Sequence, residues 1–178
     1  MLKLTIPSAE LFDEEKAEFI YSKEQTIVLE HSLVSISKWE SLFMIPFISK
    51  EEHTWIHTVE YVKCMTITQN VNPTVYNYLT SQNIRDIEEY IDRPMTATTV
   101  SKSKGGSREI VTAELIYYWM ISFNIPFECQ KWHLNRLLML INVCSVKNQT
   151  PEKKSKSEIM NRNHSLNEAR RAKYNTKG

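Results

Sequence analysis

The spacing of apolar residues changes period along this chain. Leu2, Leu4 and Ile6 alternate with Lys3 and Thr5, the period-two pattern of a half-buried strand, and Pro7 ends it. Glu10-Leu11-Phe12 and Glu18-Phe19-Ile20-Tyr21 flank the polar run Asp13-Glu14-Glu15-Lys16, which reads as a turn between two short strands. Thr26-Ile27-Val28-Leu29-Glu30 is a further β-prone run. Residues 1–30 are therefore predicted to form a small antiparallel sheet, which needs a helix or another strand beside it to be stable.

From Ser32 the period lengthens. Leu33, Ile36 and Trp39 follow a helical rhythm closed by Pro46. Ser49 and Glu52 have the Ser-x-x-Glu spacing of a capping box, predicting a helix through Trp55, Val59 and Val62. Asn72-Pro73 is a cap followed by a first-turn proline, opening a short helix through Val75 and Tyr78. Ile84, Ile87 and Ile91 define another, stopped before Pro94. Residues 95–106 are small and polar, a loop that precedes the most apolar stretch of the chain, 107–143. That stretch reads as two helices broken at Asn124-Ile125-Pro126, with Ile110, Leu115 and Met120 in the first and Leu134, Leu137 and Ile141 in the second. The short break favours an antiparallel pair, and its aromatic density makes this hairpin the expected core.

The predicted fold class is mainly α with a small N-terminal antiparallel β-sheet, a helical core hairpin and a basic C-terminal tail. Hydrophobic residues make up 42% of 178, enough for a packed domain. Charge divides the chain further. The formal net charge is +1, yet residues 147–178 hold nine Lys or Arg against three Asp or Glu, leaving 13 basic and 18 acidic groups before them. The expected organisation is a domain at 1–146 and a basic arm at 147–178. The arm's apolar positions (Ile159, Met160, Leu166, Ala169, Ala172) are sparse, so its helix is expected to order on a partner rather than dock firmly. An acidic body with a basic tail concerns partners, not fold. No signal peptide opens the sequence, and no apolar run reaches membrane-spanning length.

Candidate chemistry is thin. His53 and His57 stand one helical turn apart, as a zinc site requires, but Thr54 follows His53 where a metalloprotease has its general-base Glu. Cys129 and His133 repeat that spacing, and a thiolate is favoured near a helix start. The surrounding Trp, Phe and Leu argue instead for an inert buried thiol. Cys64, Cys129 and Cys144 have no Cys-x-x-Cys spacing and read as reduced cytosolic thiols. The run Ser101-Lys-Ser-Lys-Gly-Gly-Ser-Arg108 lacks the residue order of a nucleotide-binding loop. Glu88, Glu89 and Asp92 fall on polar helix faces. The sequence points to no enzyme, no cofactor and no metal site. Basic arm residues, among them Arg162, Arg170 and Arg171, suit either an acidic protein surface or, as an alternative, nucleic-acid phosphates.

Several blocks carry a resemblance: Leu29-Glu-His-Ser-Leu-Val-Ser-Ile-Ser-Lys-Trp-Glu-Ser41, Met65-Thr-Ile-Thr-Gln-Asn70, Pro94-Met-Thr-Ala-Thr98, Ser107-Arg-Glu-Ile110, Pro126-Phe-Glu-Cys-Gln-Lys-Trp-His-Leu-Asn-Arg136, Glu158-Ile-Met-Asn-Arg162 and Leu166-Asn-Glu-Ala-Arg-Arg171. Together they resemble the tail assembly chaperone or structural protein family of long-tailed bacteriophages and prophages. One departure is Leu42-Phe-Met-Ile-Pro46-Phe47, more apolar than the Trp and His-Lys that relatives carry before Pro-Phe. The resemblance implies a non-catalytic protein of the host cytoplasm during virion morphogenesis, holding tape-measure and tail-tube proteins. The alternative is a virion component of tail, neck or baseplate. Expected contact residues are Trp39, Phe43, Phe47, Trp119 and Trp132 on the body, with Arg162, Arg170 and Arg171 on the arm. Self-association is a further expected partnership, and no membrane is expected.

Overall fold

A computed structural model describes residues 1–13, 18–48, 54–99, 110–148 and 156–175. Its described residues fall into two compact units, Met1–Val146 and Lys147–Gly178. The protein is mainly helical with a small antiparallel β-element at its start.

Among the described residues four strands, β1 (Leu2–Ile6), β2 (Ala9–Asp13), β3 (Glu18–Ser22) and β4 (Gln25–Leu29), pair as β1 with β4 and β2 with β3. The registers run Leu2↔Leu29 to Ile6↔Gln25 and Ala9↔Ser22 to Asp13↔Glu18. Both pairs keep one alignment, so they are successive halves of a two-stranded ribbon interrupted at Pro7, which has no N–H to give a ladder. In the basal half, Leu4, Ile6, Ile27 and Leu29 are buried, while Thr5 and Thr26 share a hydroxyl hydrogen bond on the opposite face. This is the alternation the sequence predicts.

Among the described residues six α-helices follow: α1 (Leu33–Phe43), α2 (Trp55–Met65), α3 (Ser81–Asp92), α4 (Ala113–Ser122), α5 (Leu134–Asn148) and α6 (Lys156–Tyr174). Two 3-10 turns, Pro73–Tyr78 and Phe127–Lys131, stand between them. Local chemistry sets their starts. Ser32 caps α1 through a box in which its side chain accepts from Ser35 N–H and the Ser35 hydroxyl accepts from Ser32 N–H. Thr54 and Thr80 do the same for α2 and α3, with His57 and Asn83 as reciprocal partners. Asn72 caps the turn that Pro73 opens, as expected, although the turn is 3-10 rather than α. The capping box expected at Ser49 and Glu52 lies outside the described residues, as does most of the 95–106 loop.

The two helices expected from the 107–143 stretch are α4 and α5, although the first starts only at Ala113, capped by Thr112, and leaves Ile110 exposed ahead of it. Both give residues to the core: Ala113, Ile116 and Met120 from α4, and Leu134, Leu137 and Ile141 from α5. The helix the others share, however, is α1, which packs against α2, α4 and the Phe127–Lys131 turn. That turn is the physical reason. It lengthens the break after Asn124 and carries the start of α5 across to β4, where Leu134 N–H donates to the His31 carbonyl at 2.8 Å. The outer edge of β4 is covered as well. Glu30 N–H donates to Met65 C=O, Ile67 N–H donates to Val28 C=O, and the Thr68 hydroxyl accepts from Val28 N–H. Asn83 ties α3 to the ribbon by donating to the Thr5 carbonyl, and Asn135 ties α3 to α5 by donating to the carbonyls of Ile91 and Arg93.

All described side chains of α6 are exposed. Among the described residues, no helix is long and apolar enough to cross a membrane.

Candidate functional site

Four elements converge where β4 runs into α1. His31 and Ser32 precede α1, and His133 precedes α5; the backbones of Ser32 and His133 form an isolated antiparallel bridge. The imidazoles of His31 and His133 meet edge to face, with ring centroids 5.0 Å apart. His133 accepts at Nδ1 from Asn135 N–H (3.3 Å), so its proton resides on Nε2, which donates to the Tyr90 carbonyl (3.0 Å). His31 Nδ1 is hydrogen-bonded to the Tyr61 hydroxyl from α2. Tyr90 of α3 donates its hydroxyl to Glu30 at 2.7 Å, and the other Glu30 oxygen pairs with the Met1 ammonium at 3.1 Å.

Burial governs the electrostatics of this node. It holds the His31 imidazolium down, at a pKa of about 3, with the neighbouring His133 acting in the same direction. It depresses His133 as well, against the opposing pull of its bond to the Tyr90 carbonyl and of Glu30. Burial pushes the Tyr61 and Tyr90 hydroxyls up, the latter further raised by its bond to Glu30. The node is therefore neutral apart from Glu30, whose charge has the Met1 ammonium opposite it.

A second buried polar group organises the opposite end of α1. Glu40 accepts from Phe47 N–H with Oε1 and from Ala113 N–H with Oε2, each at 2.8 Å. It thereby closes the turn after α1 and satisfies the first N–H of α4. Nearby, the Trp39 ring meets Phe47 and His57 edge to face and Phe43 at a tilt, and its indole N–H donates to the His57 carbonyl. Trp39, Phe47, Tyr61, Ile84, Ile87 and Ile91 line a cavity of about 290 Å³ that also borders His57 and Glu88. A groove of about 360 Å³ runs between α4 and α5, over Trp119, Phe123, Leu138 and Ile141.

The residues expected to contact partners are distributed unequally. Trp39 is fully buried, a correction to its expected surface role: an indole at helical spacing from Leu33 and Ile36 belongs to the same inward stripe. Phe43, Phe47, Trp119 and Trp132 are half-buried, with Trp132 under the Arg136 guanidinium. Arg162, Arg170 and Arg171 are exposed on α6. Other apolar side chains are strongly exposed, among them Leu42 (61%), Met44 (82%), Trp55 (55%) and Ile56 (66%), and elsewhere Ile110, Tyr118 and Ile121. The first four stand at one end of the α1–α2 pair, the end where Phe43 meets His57. The one sequence signal, the apolar departure at residues 42–47, covers Leu42 and Met44 but not Trp55 and Ile56, and does not tell which side chains turn outward.

The candidate reactive groups are not assembled for chemistry. His57 serves as the capping partner of Thr54 N–H, and His53 lies outside the described residues. Cys129 sits in a 3-10 turn, buried, where desolvation raises its thiol pKa, the opposite of an activated nucleophile. His133 is occupied with Asn135 and Tyr90. Among the described residues, no three His, Cys, Asp or Glu side chains are grouped to hold a metal ion. Comparison with protein-family models, with curated proteins and with solved structures returned no match.

Proposed function

We propose that this chain is a non-enzymatic phage tail morphogenesis protein, acting in the host cytoplasm to hold tape-measure and tail-tube proteins before assembly. The observation that supports this reading most is the apolar end of the α1–α2 pair. Leu42, Met44, Trp55 and Ile56 stand in water there, where a monomer gains nothing from them and a partner surface would. The two buried histidines, each held by hydrogen bonds, and the buried Cys129 thiol, its pKa raised by desolvation, favour a scaffold over a catalyst. The basic arm adds electrostatic steering toward acidic partners.

The test is co-expression of the protein with the tape-measure and tail-tube proteins of its phage, followed by co-purification. A Leu42→Glu, Trp55→Glu, Ile56→Glu variant is expected to lose capture by about tenfold or more while its far-UV circular dichroism is unchanged. Failure of the wild type to capture either protein ends the proposal. Mass spectrometry of purified particles distinguishes a chaperone that leaves from a tail, neck or baseplate component that stays.

A second reading rests on α6. Ile159, Arg162, Leu166, Arg170 and Lys173 follow helical spacing on one face, with no acidic residue among them. Such a face also suits nucleic-acid phosphates. That reading requires DNA binding that falls steeply with salt, and no binding at low salt removes it.

A further inference from the structure

The start of α5 is held to the body by the Asn135 amide, which donates to the Ile91 and Arg93 carbonyls, and by a set of links that pass through the histidine pair. Leu134 N–H donates to the His31 carbonyl, and Ser32 bridges His133. The His133 ring joins Asn135 to the α3 carbonyl of Tyr90, while the His31 ring joins α1 to Tyr61 of α2. His133 has an N–H donor facing one ring nitrogen and spends its only proton on the other. A second proton on that ring would point at the Asn135 N–H. A proton added to His31 would place a charge 5.0 Å from the other imidazole in a site 2% exposed to water.

We infer that the His31–His133 pair is an acid-released latch on the start of α5: it closes only while both imidazoles are neutral. The groups around the pair are Glu30 and the Met1 ammonium from the ribbon, Tyr61 and Cys64 from α2, and Tyr90 and Arg93 from α3. Among the described residues, Glu30 is the one acidic group that acts on the pair. Its two oxygens are committed to the Tyr90 hydroxyl and the Met1 ammonium, so it offers no contact to either imidazole.

The sign follows from the depressed pKa values. Each histidine binds its proton more weakly in the closed form than in an open one, where it returns to the ordinary value near 6.5. The latch is therefore at full strength above about pH 6.5 and weakens as pH falls toward the closed-state value of about 3 for His31. Opening frees Leu134 and Leu137, the buried stripe of α5, without requiring the β1–β4 ribbon to part. This inference is independent of the proposed docking role.

The experiment is native-state amide hydrogen exchange of the full chain between pH 7.5 and 4.5, corrected for the intrinsic chemical rate and read at the Leu134 and Leu137 amides. Below pH 6 the opening equilibrium of the wild type is expected to rise by more than about tenfold per pH unit, the His133 proton adding to the factor of about ten that His31 alone supplies. His133→Gln should reduce that to about tenfold per unit and His31→Gln to less, and the double variant should remove it. Equal slopes in the wild type and both single variants would assign the acid response to carboxylates and overturn the latch. Should the variants fail to fold, imidazole NMR titration of the wild type decides. Both rings staying neutral in the folded protein at pH 5 supports the latch, whereas either one titrating near 6.5 overturns it.

Discussion

Glu40 accepts one backbone N–H at each carboxylate oxygen, and no neutral residue of its size replaces both bonds. The two donors, Phe47 and Ala113, belong to segments far apart in sequence, so this side chain fixes the turn after α1 relative to the start of α4. Glu40→Ala leaves both N–H groups without an acceptor, at about 1–3 kcal/mol each. The expected loss is about 2–5 kcal/mol of unfolding free energy in urea, with Glu40→Gln, which keeps one acceptor oxygen, losing clearly less. Trp39 is the neighbouring lesson in scale. Its ring looked like a contact residue, but zero exposure and a hydrogen bond to the His57 carbonyl make it part of the packing between α1 and α2.

The ends of α1 show how elements are stopped. Its start has a serine box, a feature the residues at Ser32 and Ser35 supply locally. Its end is closed by Met44 in the left-handed region, φ 57°, with its N–H donating to the Glu40 carbonyl. A Cβ costs energy in that conformation, and the Met44 side chain is 82% exposed, with little packing to recover it. Met44→Gly is therefore expected to stabilise the protein by about 0.5–1 kcal/mol, read as a raised urea midpoint with unchanged slope. A loss of stability would mean that Met44 packs more than its exposure indicates. Asn70 and Asn124, the positive-φ residues at two other turns, are of a type that tolerates this region and leave no such gain.

At the scale of the molecule, the body and the arm differ in charge and in how their helices are used. Every helix of the Met1–Val146 unit has a buried stripe, whereas α6 buries none of its described side chains. Removal of residues 149–178, leaving α5 whole, should change the melting temperature by no more than about 2 °C, since no core residue is lost. It should also abolish any salt-dependent part of partner binding. A truncated chain that melts much lower, or does not fold, would show that the arm supports the body.

The periodicity of the residues was enough to determine the ribbon's alternation, the three isoleucines of α3 and the helical character of 113–122 and 134–143, because each depends on neighbours three or four positions away or less. The cap at Asn72 was legible for the same reason. The centrality of α1 was not, nor was the joining of Glu40 to Ala113 or of His31 to His133, because these pairs are far apart in the chain and no local pattern marks them. Only the tertiary structure decides which apolar side chains face inward. It buried Trp39 and left Leu42, Met44, Trp55 and Ile56 in water, an outcome set by which helix lies beside which face.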